Sequence, residues 1–386
     1  MVMLLAGSPA LALVEFKDGL THDINYIIND QVRVDWQTPS MYTTVNLLPG
    51  GGVTNNSLNG YQNSRINVQG GSARWLSSFD SSQVCISDGW VESPCSYGYS
   101  HVDVTGGSIG RLYSCNSSQV DISNGSLNRL YAEDSSRVNI SGGSINVLWA
   151  TQGVTNWASS QVNISGGSVG DMYIHFSCQV NISGGSINGA WRLWMWGVLT
   201  ISGSDFAVDG QPVGYGELTS IFGGYYGNEP PRHLTGTLAG GEPIDSDFYI
   251  GQYARIILIP PPQTIVVIDI KPGSFPNSIN PDSQGVIPVA ILTTSTEAGE
   301  PVTFDASTVA AQTVRFGPGE AAAVQSALED VDGDGDVDMV LHFRTQQTGI
   351  AAGMTEATLT GETTEGENII GTDSVRIVPP EGKSKK

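Results

Sequence analysis

Residues Val138 to Ile145 read Val-Asn-Ile-Ser-Gly-Gly-Ser-Ile, and the phrase begins again at Val162 and Val180, with Val169 closing the middle copy. Looser copies begin at Ile66, Val84, Val102 and Val120, so the first apolar position advances by 18, 18, 18, 18, 24 and 18 residues. A fixed period near 20 residues marks a solenoid, whose units bury an apolar face only by stacking on the next unit. Within one unit, Val138 and Ile140 alternate with Asn139 and Ser141, the period of a half-buried strand. Gly142-Gly143 then supplies a corner that needs unusual backbone angles. A helical repeat is excluded, because no stretch has apolar residues at three- and four-residue spacing and paired glycines would break a helix in every unit. A second apolar pair, Ile145 and Leu148, follows the corner, and Ser-Ser turns such as Ser135-Ser136 and Ser159-Ser160 close the coil. These features predict an all-β protein built on a parallel β-helix with about 18 residues per coil. Three six-residue sides would make such a coil, the 24-residue spacing exceeds it by one side, and handedness stays open.

At 386 residues the chain has room for two or three domains, with core enough to need no disulfide framework. Its 38 acids against 17 bases give a net charge of −21, which argues against nucleic acid and anionic membranes as partners. Cys85, Cys95, Cys115 and Cys178 show no metal-ligand spacing; inert coil cysteines are the favoured reading, with a Cys85 to Cys95 disulfide as the alternative. Residues 1–14 read as an export signal lacking its basic start, with Ala10-Leu11-Ala12 as a cleavage site and a first buried strand as the alternative. No other stretch approaches the 18 consecutive apolar residues of a membrane span, and residues 380–386 form a charged tail. The protein is therefore expected to be secreted, extracellular or at the cell surface.

From Glu15 to Arg65 the strand-then-glycine pattern continues without a strict period, as in Val45, Leu47 and Pro49-Gly50-Gly51-Gly52. After Ser204 the period fails again, and Phe206 to Leu258, with Gly223-Gly224 and Pro230-Pro231, reads as an irregular cap ending in a strand from Tyr253 to Ile259. The coils thus occupy residues 15–259. Pro260-Pro261-Pro262 marks a stiff spacer, placed at 260–263. Residues 264–379 then offer short β-rich runs, Ile265 to Ile270, Val286 to Thr293, Val337 to Phe343 and Val375 to Val378, between turn signals, which suggests a β-sandwich.

One sharp motif lies in this second domain, Asp330-Val331-Asp332-Gly333-Asp334-Gly335-Asp336-Val337-Asp338. Carboxylates at positions 1, 3, 5 and 9 with glycine at 6 suit a loop that wraps oxygen ligands around Ca2+. Asp330, Asp332, Asp334, Asp336 and Asp338 are the candidate metal residues. The loop departs from an EF-hand, since position 12 is Leu341 and the residues after Asp336 alternate as a strand. It resembles the D-x-D-x-D-G-x-x-D loops of integrin-type propellers and dockerin modules, which implies a structural calcium in a secreted protein but no particular fold. An acidic turn without metal is the alternative.

Eleven residues after the first valine of successive repeats stand Tyr113, Tyr131, Trp149, Tyr173 and Trp191. If Leu112, Leu130 and Leu148 fill the core, their aromatic neighbours face out and form a ladder suited to sugar rings. The opposite parity would bury the rings. By the same alternation Asn139, Asn163 and Asn181 line up outside, with Asp103 and Asp121 in earlier coils, as a hydrogen-bonding ladder that holds register. Carboxylate pairs at matching positions are confined to Asp103 and Asp121, so no catalytic residues are assigned.

Through the SQVNISGGS phrase, roughly residues 60 to 205 resemble the glycine- and serine-rich β-helices of secreted bacterial adhesins and surface-layer or matrix proteins. The resemblance implies a non-enzymatic structural or adhesive protein, a fibre subunit among them, and contact with polysaccharide or self-association through the coils. A carbohydrate-binding or polysaccharide-cleaving β-helix is the alternative.

Overall fold

The computed structural model describes residues 13–38, 40–153, 158–218, 230–251 and 253–378. The expected cleavage site at residues 10–12, Gly223-Gly224 and the tail at 380–386 lie outside the described residues. The protein is all-β, dominated by a large sheet whose strands pair mostly in parallel, and it divides after Pro261 into two units. Among the described residues no helix is long and apolar enough to cross a membrane.

In the N-terminal unit each repeat lies on the one before it in strict register. Ile66 pairs with Val84, Val84 with Val102, Val102 with Val120, Val120 with Val138, Val138 with Val162 and Val162 with Val180. The column continues beyond the visible repeat, down to Val45 and up through Leu199 to Ile256. Its inward residues, from Val45 and Leu47 to Ile256 and Leu258, are at most 2% exposed. A second buried column runs from Val53 through Ile109 and Ile145 to Ile187, and a third from Val32 through Leu112 and Leu148 to Phe248. Burying a Val, Leu or Ile is worth about 1.5–3 kcal/mol, so the stacked core outweighs the poor intrinsic propensity of Ser-, Asn- and Gly-rich coils. Leu13 and Val14, assigned above to the export signal, are already in the strand Leu13–Phe16, paired with Gln31–Val34, because Val14 meets the buried Val32.

The turns repeat as faithfully as the strands. Gly89, Gly107, Gly125, Gly143, Gly167 and Gly185 all have φ between +76° and +98°. At the turn after the third column Gln62, Asp80, Asn116 and Asp134 are left-handed, a conformation that short polar side chains tolerate. Their side chains tie neighbouring coils: Asp80 Oδ2 accepts from the Gln62 amide at 3.1 Å, and Asp134 Oδ2 from the Asn116 amide at 3.2 Å. The closing serines face inward; Ser136 and Ser160 are buried, and below them Ser114 and Ser118 share a 3.0 Å hydrogen bond. The six extra residues of the 24-residue interval leave the register of the flanking strands unchanged. They fall between Ala150 and Gln161, partly outside the described residues, and pairing keeps its register on both sides, Ile140 with Ile164 and Ala150 with Ile174.

The expected cap is partly antiparallel. Val198–Val208, Arg232–Leu238 and Pro243–Ile250 pair as a meander, and the chain rejoins the stack at Arg255–Ile259. All four cysteines are free thiols, because Cys85 and Cys95 belong to different columns of one coil.

The C-terminal unit has its own core, including Ile270, Val289, Phe316, Leu341, Phe343 and Leu359. Its strands hydrogen-bond in the order Gln263–Ile265, Asn368–Ser374, Glu356–Glu362, Arg315–Phe316, Ala321–Glu329, Asp338–Arg344, Val286–Ile291, Ile268–Ile270. Ala321–Glu329 joins the two halves: its start pairs with Arg315–Phe316, and after a register shift between Ala323 and Gln325 it follows Asp338–Arg344. Gln263, placed above in the linker, is already in a strand.

Candidate functional site

The outward aromatic row forms, but it is built differently from the expected ladder. Tyr113, Tyr131, Trp149 and Tyr173 are direct partners in successive coils, half-buried and outward of the leucine column. Their rings lie flat on one another, with centroids 4.6 Å apart for Tyr113–Tyr131, 6.4 Å for Tyr131–Trp149 and 3.9 Å for Trp149–Tyr173. Ring faces spent on neighbouring rings are not open to sugar; the row shows solvent mainly edges and hydroxyls. Trp191 does not belong to it. One more residue separates Ile187 from Trp191 than separates Val169 from Met172, so Trp191 pairs with Met172 and is 0% exposed in the core. Arg192 takes the outward place, its guanidinium 5.1 Å from the Tyr173 ring centroid and 5.5 Å from that of Tyr249, which closes the row's upper end. The triple variant Tyr131→Ser, Trp149→Ser, Tyr173→Ser should lose about 2–4 kcal/mol of unfolding free energy, from three lost ring contacts at about 0.5–1.5 kcal/mol each. Denaturant titration checks this, and a loss below about 0.5 kcal/mol would show that the row contributes nothing.

Open aromatic rings occur elsewhere, where the last coils meet the cap. The tight turn that holds Ser177 is followed, one coil later, by Met195 and Trp196 and then by Tyr253, and all four have positive φ. Large side chains are rarely held left-handed, at about 1–2 kcal/mol per residue, and such outliers concentrate where function demands them. The Trp196 and Tyr253 rings lie parallel, 5.3 Å apart, and are 55% and 59% exposed. Among the described residues no further ring stacks on either of them. Together with Ser177, Gln179, Leu218, Ile250 and Arg255 they line a cleft of about 710 Å³. Gln179, Val198 and Arg255 form its floor as partners in three successive coils. The short strand Gly216–Glu217 pairs antiparallel with Arg255–Ile259 and sets Glu217 at the rim, 3.6 Å from the Arg255 guanidinium. Sequence reasoning missed this cleft. Its signal was Trp194-Met195-Trp196 standing in a turn whose left-handed place is Gln62, Asp80, Gly98, Asn116 or Asp134 in earlier coils.

In the C-terminal unit the structure brings three of the five expected metal residues together. Ligand oxygens of Asp330, Asp332 and Asp338 lie within 4.8 Å of one another. Asp338 is 0% exposed and accepts from the Thr293 amide at 2.9 Å and the Val331 amide at 3.0 Å, so it is anchored at the root of the loop. Asp330 Oδ1 takes the Gly333 amide at 2.8 Å and Asp334 Oδ1 the Asp336 amide at 2.9 Å, which curls the loop tightly; Gly333 and Gly335 supply positive φ. Asp334 and Asp336 remain exposed outside the three-residue group. Slight desolvation and then the Asp334 and Asp338 charges raise the Asp332 carboxyl, the direction expected when carboxylates crowd without a counter-charge. Three carboxylates, one of them fully buried, fit a hard cation.

The outward amide column is hydrogen-bonded through: Asn139 Nδ2 donates to Asp121 at 2.6 Å, Asn163 to Asn139 at 2.9 Å and Asn181 to Asn163 at 2.9 Å. It acts as the register-holding ladder expected of it.

No protein-family model and no curated protein matches the chain. One solved structure aligns with part of it, described as Bacteroides ovatus mixed-linkage glucan utilization locus SGBP-B in complex with mixed-linkage heptasaccharide. The alignment has 12% identity and a TM-score of 0.18, and it covers 45% of this chain and 36% of that one. The chain thus spans about a third of that protein's length, and a superposition this slight carries nothing from one protein to the other.

Proposed function

We propose that this chain is an extracellular glycan-binding protein without catalytic activity, of the adhesive kind its repeats resemble. In this proposal a parallel β-helix carries the sugar site on its last coils, and a β-sandwich stabilised by one Ca2+ follows it. The observation that carries the proposal is the Trp196–Tyr253 pair, two strained, more than half exposed rings at the mouth of a cleft otherwise edged by Ser177, Gln179, Glu217 and Arg255. Sugar rings offer apolar C–H faces and polar edges, so recognition calls for uncovered aromatic faces beside a few hydrogen-bonding groups, which is this composition. Hydrolysis would call for two carboxylates about 5–9.5 Å apart across the bond. Among the described residues that line the cleft Glu217 alone is acidic, and it faces Arg255. That arrangement supports binding over cleavage.

The test is binding of soluble neutral and acidic polysaccharides, by affinity electrophoresis and calorimetry, to the full chain and to Trp196→Ala/Tyr253→Ala. Loss of the two anchor rings should weaken binding by about 2 kcal/mol or more, roughly thirtyfold. The aromatic-row triple variant should bind like the parent protein. If the double variant binds as well as the parent, or if the row carries the binding, the cleft is not the site. Release of reducing or unsaturated ends from any bound polymer would replace the binding role with an enzymatic one.

A further inference from the structure

The amide ladder contains a fault, and the residues around that fault are a histidine and two aspartates. On most rungs an asparagine Nδ2 donates to the side-chain oxygen one coil below, and the series ends on a carboxylate, which can only accept. Asn67 donates to Asn46 and Asn46 to Asp23 at the lower end, and the upper series from Asn181 ends on Asp121. Beneath Asp121, however, its direct partner is Asp103, a second acceptor. Like charges directly opposite on paired strands repel, and neither carboxylate can supply the missing donor.

What lies between them is His101, from the adjacent outward column. Its Nε2 is 2.6 Å from Asp121 Oδ2 and 3.2 Å from Asp103 Oδ1. A single ring nitrogen holds at most one proton, too few for two carboxylates, of which Asp121 already accepts from Gln119 at 2.8 Å and from Asn139. The three ligand atoms lie within 4.8 Å of one another, all on side chains that are partly open to solvent. They stand on rigid paired strands, His101 and Asp103 in His101–Ser114 and Asp121 in Gln119–Ala132.

We propose that His101, Asp103 and Asp121 form a site for a divalent transition ion of the Zn2+ class, separate from the aspartate loop of the C-terminal unit. One imidazole with two carboxylates suits Zn2+, Co2+ or Mn2+, whereas Ca2+ and Mg2+ favour all-oxygen sets. Bonds of about 2.0–2.2 Å place neighbouring ligands about 3–3.5 Å apart, so the 3.2 Å separation is already a polyhedron edge, and the 2.6 Å hydrogen bond opens by under an ångström as the ion replaces the proton. Three protein ligands on one side leave the outer positions to water or to an incoming donor. The ion would clamp two neighbouring coils where the ladder has no donor.

Nearby coils supply variants that should fold. His101→Gln copies Gln83 and Gln119, its partners in the same column, and Asp103→Asn/Asp121→Asn restores the ladder's own residue. The full chain, freed of metal by chelation and held in excess Ca2+, is titrated with Zn2+ by calorimetry and with Co2+ by visible absorption. One Zn2+ should bind per chain at this site, and Co2+ should give the d–d bands of a nitrogen- and oxygen-ligated ion. His101→Gln should weaken binding at least about tenfold, the double variant should abolish it and remove the Co2+ bands, and Asp338→Asn should leave both intact. No uptake by the parent chain, or uptake unchanged in His101→Gln or in the double variant, overturns the site.

Discussion

Gly167→Val should destabilise the N-terminal unit by about 3–5 kcal/mol. Gly167 has φ +76°, where a β-branched residue is a severe outlier, and its added Cβ would lie 2.7 Å from the Gly142 carbonyl carbon and oxygen and 2.8 Å from the Gly143 oxygen. Those atoms are backbone of the coil below, pinned by the Ser168 amide's 2.9 Å bond to the Gly143 oxygen, so they cannot swing aside as a side chain would. Gly210 separates the two causes: it has the same φ of +76° but open space around its Cβ position. Gly210→Ala should therefore cost only about 1 kcal/mol, the conformational part alone. Urea unfolding followed by circular dichroism gives both values. A Gly167→Val protein within about 1 kcal/mol of the parent would show that the corner is far more yielding than the stacking implies.

The second large effect belongs to Asp338. Asp338→Ala should cost the C-terminal unit about 2–4 kcal/mol, because it strands the half-buried amides of Thr293 and Val331, each costing up to about 1–3 kcal/mol when unpaired, beside the strands Val286–Ile291 and Asp338–Arg344. In the parent chain Ca2+ at about 100 Kd should add roughly 2.7 kcal/mol to that unit, and chelation should lower its melting transition while leaving that of the coils in place. The same Ca2+ increment should be absent from Asp338→Ala and retained in Asp336→Asn, whose side chain stands outside the three-carboxylate group. Identical melting curves with Ca2+ and with chelator would refute the calcium proposal, and an unaltered Asp338→Ala would refute the structural one.

The coil stack was legible because its cause is periodic: a valine and an isoleucine two apart, then a glycine that only one backbone angle satisfies, repeated at the interval of one turn. What resisted reading were departures from that beat. Trp191 sits at the expected interval from Val180, yet one inserted residue moves it from outside to inside, since a one-residue slip in a strand reverses every side chain. The cleft rings lie on turns, where no alternation says which way a side chain points. In the C-terminal unit Ala321–Glu329 has four alanines and little alternation, and it is a strand because its partners on either side make it one. The aspartate loop was legible as a run of closely spaced carboxylates, but only the folded chain shows that the ninth position is its buried root. His101 drew no notice because its meaning depends on two acids in other strand positions.

The six residues gained after Ala150 disturb neither neighbour: the coils on both sides meet in the register they would have had without them. Length at the turn and order in the stack are thus inherited separately. A descendant of this chain could take a binding loop into that turn, or gain or lose a complete coil by unequal recombination, without a compensating change in the core. Selection would then act on how far the protein reaches and what its turns display, while the repeated phrase that assembles it stayed as it is.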